Sequence, residues 1–135
     1  MSAGVFRRRR IVAAEDVDGL GHVNNAIWVR FVVELAHVHS TARGFDPETV
    51  RKLGGIWLVS RHEIDYRRPA TRGEEILEET WIVSLKGARS VRHSRFSDPS
   101  DGSVYVTAVT HWAFTDPETL RPRRIPAEIL KGFGP

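Results

Sequence analysis

Residues 25–43, N-A-I-W-V-R-F-V-V-E-L-A-H-V-H-S-T-A-R, constrain the fold more than any other stretch of the chain. Their spacing is helical and Gly44 supplies a C′ residue, yet the helix is apolar on several faces, so it must be buried rather than laid on a surface. Its polar exceptions Arg30, Glu34, His37 and Thr41 fall on one stripe, expected to face solvent or a partner subunit. Strand patterns surround it at 5–14, 56–67, 75–86, 89–97 and 103–115. Asp46-Pro47-Glu48 opens a short helix through Leu53, and a Pro-rich tail occupies about 117–135. A helix apolar nearly all round has to be wrapped by a sheet. The pattern therefore predicts an α+β protein with a curved antiparallel sheet around one long helix.

Alternation assigns faces within those strands. Leu77, Trp81, Val83 and Leu85 share one face of 75–86, and Val104, Val106, Ala108, Thr110, Trp112 and Phe114 share one face of 103–115. The strand at 89–97 is polar for a core strand, so one face is expected to meet solvent or a ligand. In the first strand Arg7 and Arg9 lie on one side, Arg8 and Arg10 on the other. At 135 residues the chain fits one domain over 1–135 with a real core.

The absence of cysteine excludes disulfides, thiolate metal sites and thiol nucleophiles. No apolar run approaches the roughly 20 residues of a membrane span, and Arg7–Arg10 runs into Ile11-Val12-Ala13-Ala14 without a secretory signal. A cytoplasmic location is the expectation. A net charge of +3 makes an anionic partner plausible, nucleic acid or a phosphorylated small molecule. The four-Arg run is short, lies in a strand and lacks interleaved aromatics, which points away from nucleic acid. His37 and His39 diverge around the helix and no His-Glu-x-x-His occurs, so no metal is expected.

Directly before the helix stands E-D-V-D-G-L-G-H-V-N-N-A-I-W, residues 15–28. A helix N-terminus offers unpaired N–H groups and the positive end of a dipole, suited to a developing oxyanion. On residue chemistry alone Asp18-Gly19 reads as a turn, Gly21 as a site of positive φ or close backbone approach, and His22 as a lone loop histidine. Asn24 fits an N-cap, a role also open to Asn25. Asp16 fits a cap or an Arg partner.

The run D-V-D-G-L-G-H-V-N-N-A-I-W resembles the signature loop of hotdog-fold acyl thioesterases, nearest to the 4-hydroxybenzoyl-CoA thioesterase-like and acyl-ACP-thioesterase-like branch. S-R-H-E-I-D-Y-R-R-P-A (60–70), with Gly73-Glu74 after it, resembles that family's second strand and following turn. The element order matches over about 5–115. The resemblance implies a five-stranded antiparallel sheet around one helix, in dimers with active sites at the subunit interface, often paired into tetramers. It implies Asp18 as general base or nucleophile and the backbone N–H of Asn25 as oxyanion donor. Gly21, His22, Asn24 and Trp28 would shape the substrate site, with Ile27 and Trp28 lining an acyl channel or the core. Many relatives carry His at the position of Asn25 and Tyr at that of Trp28.

Arg89, Ser90 and Arg92, beside Lys86, would supply donors for the CoA phosphates. Glu34 is the second-choice acid, or a structural group paired with Arg30 or a partner subunit. The implied function is an acyl-CoA thioesterase acting as a homodimer or homotetramer, with no metal or redox cofactor. Three readings stand beside it: an acyl-ACP thioesterase, a non-catalytic acyl-CoA-binding module, and an enoyl-thioester hydratase or dehydratase using Asp18 and His22.

Overall fold

The computed structural model describes residues 4–133. Five strands form one antiparallel sheet in the order β1-β3-β4-β5-β2: β1 (Phe6–Ile11), β2 (Ile56–Tyr66), β3 (Glu75–Lys86), β4 (Arg89–Ser97) and β5 (Val104–Thr115). The long helix α1 (Asn25–Ala42) lies on the inner face, and α2 (Pro47–Lys52) leads from it to β2. The expected α+β architecture is present, with β1 and β2 at opposite edges. Asp46 caps α2 through Thr49 N–H at 2.9 Å, with Pro47 in its first turn.

The core follows the helix. Trp28, Phe31, Val32, Leu35, Ala36 and His39 are the buried stripe of α1, and Trp28 meets Phe31, Phe96 and Tyr105 ring to ring. Val106, Ala108, Thr110, Trp112 and Phe114 of β5 are buried on the face the alternation assigned them. β1 is shorter than the 5–14 pattern, because the chain turns into a short 3₁₀ segment, Ala14–Asp16.

One face assignment is corrected. In β3 the buried residues are Ile76, Glu78 and Thr80, whereas Leu77 and Trp81 stand on the opposite face. The register shifts between Ile82 and Ser84, so Leu85 returns to the helix side while Val83 is exposed. Polar groups sit inside because the first strand sends two arginines there. Arg8 and Arg10 both bond Glu78, at 2.6 and 2.8 Å, and both bond Glu34 of α1, at 3.0 and 2.6 Å. Glu34 therefore pairs with Arg8 and Arg10, not with Arg30, which reaches Asp16 at 3.1 Å. On β4 the inward residues are Ser90, Arg92, Ser94 and Phe96, while Arg89 and Arg95 on the opposite face are exposed, in keeping with the one solvent-facing side expected of that polar strand.

The C-terminal segment is a packed element where a tail was expected. Thr115 bridges to Pro122, and α3 (Ala127–Phe133) places buried Ile129 in a second cluster with Ile125, Phe114 and Val50. Gly55 lies against that cluster with no room for a side chain, since a Cβ there would sit 2.3 Å from Cζ of Phe114.

Candidate active site

A cleft of about 480 Å³ opens at the N-terminus of α1. One wall is the 15–28 loop, through Asp18, His22, Asn24 and Asn25; the other is the end of β2, through Tyr66, Arg67, Arg68 and Pro69. Trp28 forms part of the floor. The loop is pinned at its base. Val17 bridges to Val23, His22 to Thr71, and Val23 N–H reaches Ala70 C=O at 2.9 Å.

Within that frame Asp18 closes a tight turn. Its N–H donates to His22 C=O at 3.0 Å, its C=O accepts from Gly21 N–H at 2.9 Å, and Oδ1 accepts from Leu20 N–H at 2.9 Å. Gly21 has φ of +82°, which a side chain would resist. The Asp18 carboxylate remains exposed, with Oδ2 available at the cleft. Asp16, two residues earlier, is buried. It accepts from Ala13 N–H at 3.0 Å and pairs with Arg30, so it is structural.

At the helix end Asn24 is the N-cap, its Oδ1 accepting from Ala26 N–H at 2.8 Å. Asn24 C=O accepts from Ile27 and Trp28 N–H. Asn25 N–H has no acceptor among the described residues and borders the same cleft as Asp18. Tyr66, absent from the residues singled out by sequence, donates from its hydroxyl to Asn25 C=O at 3.1 Å. It braces the first turn of the helix from β2.

Behind the β2 wall lies a polar brace. The Arg68 guanidinium stacks on the Tyr105 ring at 4.3 Å and pairs with Asp98 at 3.2 Å. The Tyr105 hydroxyl donates to Glu74, which also accepts from Thr71. Burial, and then that bond to Glu74, pushes the Tyr105 phenol up to about 12, so it stays protonated. Arg67, exposed on that wall, brings it a positive charge, whereas the charge of Arg68 is met by Asp98 and Glu74.

The other sequence candidates lie elsewhere. Trp28 is buried in the core while touching the cleft floor. Glu34 is held in its arginine cluster, which keeps its carboxyl below the usual range: burial pushes it up, but the bonds from Arg10 and Arg8 outweigh this. Arg89 is exposed on one face of β4, whereas Ser90 and Arg92 are buried on the other, so the three do not converge on the cleft. The residues missed, Tyr66 to Pro69, belong to the 60–70 stretch whose resemblance was visible in the sequence. Side-chain roles there required knowing that the end of β2 faces the start of α1.

A single long helix cradled by a five-stranded antiparallel sheet, with a polar cleft at the helix N-terminus, defines a hotdog-fold, thioesterase-like protein. The chain belongs to the thioesterase-like superfamily, whose family model matches residues 12–133. It is similar in sequence to the chloroplastic acyl-[acyl-carrier-protein] hydrolase FATB3 of Cuphea viscosissima, 29% identical over 80 residues, 59% of this chain and 19% of that protein. The chain spans between about a fifth and a quarter of the length of the curated relatives it matches. In fold it is similar to the 1,4-dihydroxy-2-naphthoyl-CoA thioesterase Slr0204 of Synechocystis, with a TM-score of 0.88 at 18% identity, covering 96% of each chain. It is equally similar to SAV2348 of Staphylococcus aureus, solved in complex with CoA, with a TM-score of 0.88 at 14% identity over 95% of this chain and 80% of that one. Among the described residues no helix is long and apolar enough to cross a membrane.

Proposed function

We propose that the cleft hydrolyses an acyl thioester, with CoA as the carrier and free acid and thiol as products. The observation that carries this reading is the meeting of an exposed carboxylate, Asp18, and an unsatisfied helix N–H, Asn25, in one cleft. With the thioester oxygen on Asn25 N–H, charge developing there is met by a fixed donor and the positive end of the helix dipole. Asp18 then takes a proton from an attacking water, or attacks the carbonyl itself to give a mixed anhydride that water cleaves. His22 and Asn24 flank the substrate, and Gly21 lets the backbone approach it. Arg67 supports CoA by offering a cation to its phosphates.

A dimer belongs to this reading. β2 is an edge strand of 11 residues, and Leu58, Val59 and Tyr66 are exposed along it at 38%, 37% and 44%. A second copy seated there would cover those side chains and enclose the cleft.

The purified chain is expected to release free thiol from a panel of acyl-CoA and aryl-CoA thioesters. Asp18→Asn is expected to lower turnover by roughly 10²–10⁴-fold with an unchanged circular dichroism spectrum. Full activity in that variant would overturn the assignment. A binding module would retain acyl-CoA without releasing thiol. A hydratase would act on an enoyl thioester and leave the thiol esterified. Acyl-ACP assayed beside acyl-CoA reports the carrier.

A further inference from the structure

Arg92 is a buried cation with no anion beside it among the described residues. It is 4% exposed, under the C-terminal half of α1. Its Nη1 donates to His39 Nδ1 at 2.8 Å and to Thr80 Oγ1 at 3.1 Å. Both acceptors are neutral, because a histidine accepting at Nδ1 carries its proton on Nε2. No carboxylate pairs with Arg92 among the described residues, and burial alone acts on its acidity. Elsewhere the same core balances its charges: the fully buried Glu78 holds two arginines. An isolated buried charge is costly in a low-dielectric interior unless it is paired.

Arg92 also forms part of the wall of a half-open cavity, with Trp57, Leu85, Trp112 and Phe133 around it and Ser40 at its helix side. The cavity holds about 30 Å³, room for a head group of two oxygens, since one water needs roughly 10–15 Å³. The wall also contains an idle donor: Trp112 Nε1–H is buried without an acceptor. No residue lines both this cavity and the cleft. His37 on its rim lies twelve residues along α1 from Asn25, ~18 Å at the helical rise.

We propose that this cavity is a binding site for a monocarboxylate with an apolar body. The carboxylate sits on the Arg92 guanidinium, and the hydrocarbon rests on Trp57, Leu85 and Phe133 as it leaves through the open side. One carboxylate cancels one guanidinium and matches its planar fork. A phosphate brings more oxygens and more charge than this volume and this mostly apolar wall accommodate. The site does not depend on hydrolysis in the cleft.

Two of the four tryptophans line the cavity, so intrinsic fluorescence of the whole chain reads its occupancy. Hexanoate is expected to give a saturable change, with hexan-1-ol and hexylamine giving none. Arg92→Met removes the charge while keeping the bulk and should weaken hexanoate at least about tenfold. Ser40→Phe, which blocks the cavity with Arg92 in place, should do the same and serves if Arg92→Met fails to fold. Asp18→Asn should bind hexanoate like the parent, which separates this site from the cleft. An equal response to hexan-1-ol, no saturation with hexanoate, or unchanged binding in both cavity variants would overturn the proposal.

Discussion

Asp16 and Asp18 are two residues apart and differ in nearly everything that gives a carboxylate its role. Asp16 is buried against Ala13 N–H and Arg30, while Asp18 is exposed at the cleft with one oxygen committed to Leu20 N–H. Asp16→Asn is therefore expected to lower stability by about 1–2 kcal/mol, read from urea unfolding, without the large loss of turnover predicted for Asp18→Asn. Tyr66→Phe removes the hydroxyl that holds Asn25 C=O and should reduce kcat/KM by roughly 2–10-fold, the equivalent of one hydrogen bond. His39 carries a pH signature. Burial, then the charges of Arg92 and Arg43, hold its pKa at about 3 against an ordinary 6.5. Between those values the unfolded chain takes up a proton that the folded chain refuses, so stability falls as pH drops from about 6.5 toward 3. His39→Gln keeps an acceptor for Arg92 and should flatten that slope. Unfolding midpoints of both proteins near pH 7 and near pH 5 check it.

At the scale of elements, the helix N-terminus does double duty. Asn24 caps Ala26 N–H and so fixes the turn that leaves Asn25 N–H free. Asn24→Ala should cost about 1 kcal/mol and lower turnover as well, because an unfixed first turn no longer aims that donor. The asparagine pair before the apolar run made this cap legible in the sequence. The faces of β3 were not legible. Leu77, Trp81, Val83 and Leu85 alternate well apart from Glu79, yet the shift at Ile82/Ser84 breaks the period and the inner face carries Glu78 and Thr80. Alternation counts apolar residues, and it has no means of counting arginines arriving from another strand. Likewise α3 looked like a tail because seven residues with one buried isoleucine carry little periodic signal. At its contact with β2 and β5, Gly55→Ala would press a Cβ into the Phe114 ring, an overpacking expected to cost roughly 1–3 kcal/mol by thermal unfolding.

At the scale of the whole molecule, two different solutions to buried charge stand under one helix. Near β1, Arg8 and Arg10 share Glu34 and Glu78 in a closed set of four ion-paired bonds. Removing one member leaves buried charge uncompensated, so Glu78→Ala should destabilise by roughly 3–5 kcal/mol. Glu34, with its side chain 43% exposed, should cost less, and the difference between the two variants in urea unfolding tests the burial argument. Toward the far end of α1, Arg92 has only neutral partners and an adjoining cavity. Charge count could not distinguish these cases, because Arg8, Arg10 and Arg92 look alike in a sequence.

The sequence by itself determined the helix, the five strands, the order in which they occur and the loop whose acid precedes the helix cap. Those features are local: periodicity, capping residues and turn chemistry act over a few neighbours in the chain. Only the tertiary structure decided that Tyr66 braces Asn25 from 41 residues away, that Glu34 answers to Arg8 and Arg10, and that Arg92 turns inward. Such pairings depend on which strands become neighbours and in what register, and a shift of one residue sends a side chain to the opposite face.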